Sequence, residues 1–141
     1  MSQSEIQSAI PHRPPMLLVD EIVEQSEDRI VCRKTFHAGE FFFQGHYPGY
    51  PLVPGVILCE SAMQAGAILL SRFVAEEGGV PVATRMNEVK FKQMVRPGDT
   101  VEMTVELTER LGDAFFLKAR TTKDGKPAVT FEFACAMAAV E

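Results

Sequence analysis

Apolar positions recur along the chain with two periods, and the switch between them organises it. Over residues 55–77 they crowd nearly every position, as in Val56-Ile57-Leu58-Cys59 and Ala65-Gly66-Ala67-Ile68-Leu69-Leu70. That pattern predicts one long helix enclosed by other structure rather than lying on a surface. Pro54 and Gly55 suit its start, and Gly78-Gly79 suit its end. Beyond Pro81 the period falls to two. Residues 85–93 alternate, Pro97-Gly98-Asp99 makes a turn, and 100–109 alternate through Val101, Met103, Val105 and Leu107. A strand over 115–122 follows, then a hairpin signal at Lys123-Asp124-Gly125-Lys126, then a last strand over 127–140. Upstream, 4–9 reads as a short helix stopped by Pro11, while 16–23 and 29–36 read as two strands around a Glu27-Asp28 turn. One enclosed helix and several long antiparallel strands predict an α+β architecture, a curved sheet wrapped around a helix. The 141 residues fit a single domain spanning 1–141.

Residues 38–55 break both periods. Gly39, Gly45, Gly49 and Gly55 alternate there with Pro48, Pro51 and Pro54, so permissive and fixed φ angles together predict an ordered, non-repetitive loop.

Charge and cysteine usage narrow the function classes. A formal net charge of −5 argues against non-specific nucleic-acid binding, which needs a basic face. The three cysteines, Cys32, Cys59 and Cys135, are far apart without metal-ligand spacing, and read as reduced thiols in a cytoplasmic protein. The start lacks the basic and apolar regions of a secretory signal. The apolar stretch 56–70 is interrupted by Glu60 and Gln64 and is too short for membrane insertion.

Glu60 is the chemical outlier. A lone carboxylate in that apolar helix costs stability unless paired or protonated, and an apolar setting favours the protonated form that a general acid requires. The bland alternative is a buried ion pair with Arg85 or Arg96. His46, set between Gly45 and Pro48-Gly49, is displayed as a base on a rigid loop; the bland alternative is a histidine bonding a loop carbonyl. Gly55 opens the helix, so its N–H can polarise a substrate carbonyl, although every helix start has such donors. Phe41, Phe42 and Phe43 suit an acyl tunnel or the core, and three consecutive residues cannot share one strand face. Lys90, Lys92 and Arg96 are either a solvated strand face or a docking patch for an acidic carrier. His12 and His37 have no evident partner, and Cys59 faces away from Glu60.

Gly45-His46-Tyr47-Pro48-Gly49, Pro54-Gly55-Val56 and the following Glu60 and Gln64 resemble the β-hydroxyacyl-(acyl carrier protein) dehydratases of the FabZ type. The resemblance extends to Ile10-Pro11-His12-Arg13-Pro14 and its continuation to Asp20, and to Lys90-Phe91-Lys92 with Arg96-Pro97-Gly98-Asp99. It implies a hot dog fold and a homodimer with sheets joined edge to edge, often assembled further into trimers of dimers. His46 of one subunit would then meet Glu60 of the other. It also implies that His46 removes the α-proton of a β-hydroxyacyl thioester on acyl carrier protein while Glu60 protonates the departing hydroxyl. Gly55, Gln64, Phe43 and Val56 become the expected substrate-side contacts, with no metal and no redox cofactor required. Glutamate rather than aspartate at position 60 favours dehydration without isomerisation. Tyr47, Ser61, Gln93 and Met94 depart from the commonest family pattern, and 82–85 lacks an aromatic gate residue. The competing readings are a hot dog acyl thioesterase and a non-catalytic acyl- or carrier-binding relative.

Overall fold

In the computed structural model, which describes residues 3–139, the chain forms α1 (Gln3–Ala9), β1 (Glu21–Gln25), β2 (Arg29–Thr35), α2 (Gly55–Leu69), α3 (Ser71–Glu77), β3 (Val80–Phe91), β4 (Thr100–Leu111), β5 (Ala114–Lys123) and β6 (Lys126–Ala138). The strands make one antiparallel sheet in the order β1-β2-β4-β5-β6-β3. Alternation decides which face is which. Ile30, Val105, Ala119 and Phe131 pair across β2, β4, β5 and β6 and are all buried against the helix. The outward row Arg29, Glu106, Lys118, Glu132 alternates in charge across the same four strands. Opposite charges face each other there, which favours this register over a slipped one.

α2 lies along the inner face. Ala62, Ala65, Ile68 and Leu69 are buried against the sheet. Gly66 permits the closest approach, since a Cβ there would stand 2.7 Å from the Phe133 ring. This is the α+β arrangement expected of the alternation, a long helix wrapped by a curved antiparallel sheet.

Two local expectations are corrected. The helix is not continuous to Glu77. It stops at Leu70 (φ −82°, ψ −3°), and α3 leaves at a bend of 47°. The Ser71 hydroxyl takes the Ile68 carbonyl at 2.7 Å, a local bond that competes with helix continuation, and the bend carries Phe73 into the core. Residues 16–20 are not strand, because the backbone of Met16 and Leu18 bonds side chains of α2, as described below, and the Val19 and Asp20 carbonyls accept from the Gln3 amide. Within the expected loop, Phe41–Phe43 form a 3-10 turn, which buries Phe42, half-buries Phe43 and leaves Phe41 out. The last strand ends at Ala138; Val140, included in the expectation, lies outside the described residues. No single helix among the described residues is long and apolar enough to cross a membrane.

Candidate active site

Glu60 sits one and a half turns into α2, on the stripe Val56, Glu60, Met63, Ala67, of which Val56 is exposed and the other three are half-buried. Its side chain keeps 30 % of its surface exposed, so within one subunit it is less enclosed than the apolar sequence predicts. Gln64, one turn on, donates from Nε2 to Glu60 Oε2 at 2.9 Å. The Gln64 amide has no freedom to flip. Its Oε1 accepts the Leu18 N–H at 2.7 Å and its Nε2 donates to the Met16 carbonyl at 2.8 Å. Ser61 adds a second clamp, its hydroxyl donating to the Leu18 carbonyl at 2.7 Å. Residues 16–18 thus pair with α2 side chains instead of a neighbouring strand, which is why the predicted strand begins late.

The arginine pairing considered for Glu60 does not occur. Its ionisable neighbour is His12, whose Nε2 lies 3.6 Å from Glu60 Oε2 and whose Nδ1 is buried without a hydrogen bond. His12 gave no sign of a partner in the sequence, because the contact spans 48 positions and no periodicity reports it. His12, Glu60, Met63, Gln64, Ala67, Pro81, Ala83 and Cys135 line one small cavity. Burial pushes the Cys135 and Cys59 thiols up to about 11 and the Cys32 thiol to about 12, so none is a ready nucleophile near neutral pH. Among the described residues, no group of three or more His, Cys, Asp or Glu side chains could hold a metal ion.

His46 does not line that cavity. Its loop turns through left-handed residues at Gly45 (φ 78°), Tyr47 (φ 52°) and Gly49 (φ 89°), and the ring Nδ1 lies 3.0 Å from the Leu52 carbonyl. A carbonyl only accepts, so Nδ1 carries a hydrogen, and in the neutral ring Nε2 keeps the free lone pair. The loop-carbonyl bond expected of this histidine is present, and it leaves Nε2 as the ring nitrogen the loop does not use.

Leu52 also lines the groove at the start of α2, with Val53, Gly55, Val56, Phe91 and Met94 among its walls. Pro54 supplies no side-chain cap there, leaving first-turn N–H donors open to a ligand. Glycine at 55 lets the exposed Phe91 ring lie close to the helix start. A Cβ would stand 2.7 Å from the Phe91 ring. Val56 is 72 % exposed, whereas Phe43 packs against the core and lines neither of the two cavities.

The structure brings Gly55, Val56 and Leu52 together near His46, and Gln64 and His12 together at Glu60. It does not bring His46 into the Glu60 cavity. The basic residues also separate. Lys90 lines the outer-face groove with Lys118 and Arg120, while Arg96 folds onto Tyr50 of the His46 loop.

The ApeI-like family, described as ApeI dehydratase, matches residues 22–133. The chain is 42% identical over 132 residues to the 3-hydroxyacyl-[acyl-carrier-protein] dehydratase FabZ of Clostridium perfringens, covering 94% of this chain and 95% of that one. It is 42% identical over 137 residues to the FabZ of Streptococcus pyogenes, covering 96% and 99%. Among solved structures, the dehydratase heterocomplex ApeI:P from Xenorhabdus doucetiae superposes with a TM-score of 0.79 at 16% identity, over 94% of this chain and 90% of that one, which shows the shared fold. With identity at that level from end to end, on a helix wrapped by a curved antiparallel sheet, the chain belongs to the FabZ-type dehydratases of the hot dog fold.

Proposed function

We propose that this protein dehydrates β-hydroxyacyl thioesters carried on acyl carrier protein, with His46 as general base and Glu60 as general acid. His46 Nε2 takes the α-proton, the electrons of that C–H bond form the α–β double bond, and the β C–O bond breaks. Glu60 protonates the departing hydroxyl, so that a trans-enoyl thioester and water leave together. The first-turn donors at Gly55 hold the thioester carbonyl as negative charge develops on it.

The observation that carries this reading is the hydrogen-bond polarity at both residues. The Leu52 carbonyl assigns the free lone pair of His46 to Nε2. The pinned Gln64 amide makes Glu60 Oε2 an acceptor, so the proton of the general-acid form belongs on Oε1.

The proposal extends to assembly. Two halves of a site that do not meet in one subunit call for a second copy. β3 supports this, because it is a sheet-edge strand with Val82, Met86, Val89 and Phe91 exposed, and Val56 on α2 is exposed beside Phe91. We infer a homodimer of single hot dog domains, each spanning residues 1–141, joined along β3 so that His46 reaches Glu60 of the partner subunit. Assembly into trimers of dimers, a cytoplasmic location, and docking of the acidic carrier at Lys90, Lys92 and Arg96 belong to the same reading.

The test is hydration of a crotonyl thioester on acyl carrier protein, followed by loss of enoyl absorbance. Wild type should be active, and folded His46→Ala and Glu60→Gln variants should each lose about 100-fold or more. Thioester hydrolysis in place of hydration, or acyl binding without turnover, would overturn the reading.

A further inference from the structure

We propose that Arg96, with Tyr50 and Met94, forms a latch that holds the His46 loop in register, making Arg96 and Tyr50 positioning residues for the base. The inference rests on the reading of His46 given above. Residues 44–54 contain no helix or strand, and their turns at Gly45, Tyr47 and Gly49 are open to solvent. Several of their bonds are internal, such as Tyr50 N–H to the Tyr47 carbonyl at 2.8 Å and His46 Nδ1 to Leu52 at 3.0 Å. Such bonds shape a loop without fixing where it sits.

Two ties join this loop to the turn after β3. One is the backbone bond from Val53 N–H to the Val95 carbonyl, 2.8 Å. The other is made of side chains. Arg96 Nη2 donates to the Tyr50 hydroxyl at 2.6 Å, its guanidinium carbon stands 5.3 Å from the Tyr50 ring centroid, and Met94 Sδ lies 3.7 Å from the same nitrogen. The turn that carries this latch is itself anchored. Asp99 Oδ2 accepts the Arg96 N–H at 2.8 Å and Lys123 Nζ at 3.1 Å, Lys123 also donates to the Met94 carbonyl at 3.1 Å, and Gln93 Nε2 donates to the Lys126 carbonyl at 3.3 Å.

The choice of partner is the informative point. Asp99 is close enough to take the backbone N–H of Arg96, yet the guanidinium turns away from this carboxylate to a neutral phenol on the loop. Tyr50 stands two residues before Leu52, whose carbonyl orients His46. Holding Tyr50 therefore holds the acceptor that keeps His46 in its Nδ1–H form with Nε2 aimed outward. A base displaced by a fraction of an ångström from its reacting proton loses rate while substrate still binds. Tyr50 carries no charge, so its contribution is separable from any docking role of Arg96.

The experiment compares wild type, Tyr50→Phe, Arg96→Met and the double variant on two substrates, a β-hydroxybutyryl pantetheine and the same acyl group on acyl carrier protein. Each single variant should lower kcat about tenfold on both substrates with KM within about twofold. The double variant should be no worse than the poorer single one, because both remove one shared contact. Nitrogen-15 spectra of the His46 ring should change from one tautomer in wild type to a mixture in the variants. Wild-type kcat and an unchanged tautomer in Tyr50→Phe would overturn the latch. So would an Arg96→Met effect confined to KM on the carrier-borne substrate, which would make Arg96 a docking contact only. The ring spectra decide the latch independently of turnover, so an inactive wild type would refute the dehydratase reading alone.

Discussion

At the scale of single residues, the geometry turns on one amide. Gln64 is 1 % exposed and uses its oxygen and its amide nitrogen on Leu18, Met16 and Glu60. Its neutrality matters: a carboxylate at 64 could not donate to Glu60, and an apolar side chain could neither donate nor accept. Gln64→Met keeps the approximate volume but strands the buried Leu18 N–H, at a cost of about 1–3 kcal/mol. Urea unfolding should register that loss. The same variant should lower kcat about tenfold, since Glu60 Oε2 loses the donor that sends its proton to Oε1. A stability loss with unchanged kcat would confine Gln64 to tying residues 16–18 onto the helix. Ser61, where the commonest family pattern has alanine, shares that tie through the Leu18 carbonyl.

At the scale of elements, loops and turns hold His46, the proposed base, while a helix holds Glu60, the proposed acid. The turn at 96–99 is the joint between the sheet and the His46 loop, and Asp99 is its pin. Partial burial pushes the Asp99 carboxyl up, but the Arg96 N–H and the Lys123 ammonium outweigh it and hold the group below its ordinary value of 3.8. A carboxyl depressed on folding contributes stability that is fully present above its unfolded value and is lost as pH falls through the folded one. The melting difference between wild type and Asp99→Asn should therefore persist from neutral pH down to about pH 4 and shrink below it. The difference should be modest and weaken with salt, because the group is still partly exposed. A difference that stayed constant down to pH 2 would show that the turn depends on shape rather than on this charge. The helix side is stiffer: Gly66 lets α2 approach Phe133, and the inward row from Ile30 to Phe131 backs it.

At the scale of the whole molecule, the partly exposed stripe through Glu60 and the exposed edge of β3 set the terms for assembly. If sites form across a two-fold interface, mixing His46→Ala and Glu60→Gln proteins and allowing subunits to exchange should restore roughly a quarter of wild-type activity. Half of the dimers would be mixed, and each mixed dimer would hold one intact site and one doubly defective site. No recovery, in a mixture shown to exchange, would put both residues of each site on one chain. Much of this architecture was legible in the sequence where neighbours along the chain decide conformation. The alternation over 100–109 became β4, and Lys123-Asp124-Gly125-Lys126 became a hairpin turn with Asp124 at φ 52° and Gly125 at φ 78°. Pro54-Gly55 began the central helix as its backbone chemistry requires. The family motif marked Glu60, His46 and Gln64 as the residues proposed here for the site. Tertiary structure alone decided the break at Leu70, the capture of residues 16–18 by Gln64 and Ser61, the approach of His12 to Glu60, and the grip of Arg96 on Tyr50. Most of those contacts join residues more than 40 positions apart. Periodicity reports which face a side chain takes on its own element, whereas the partner waiting on that face depends on how the layers stack.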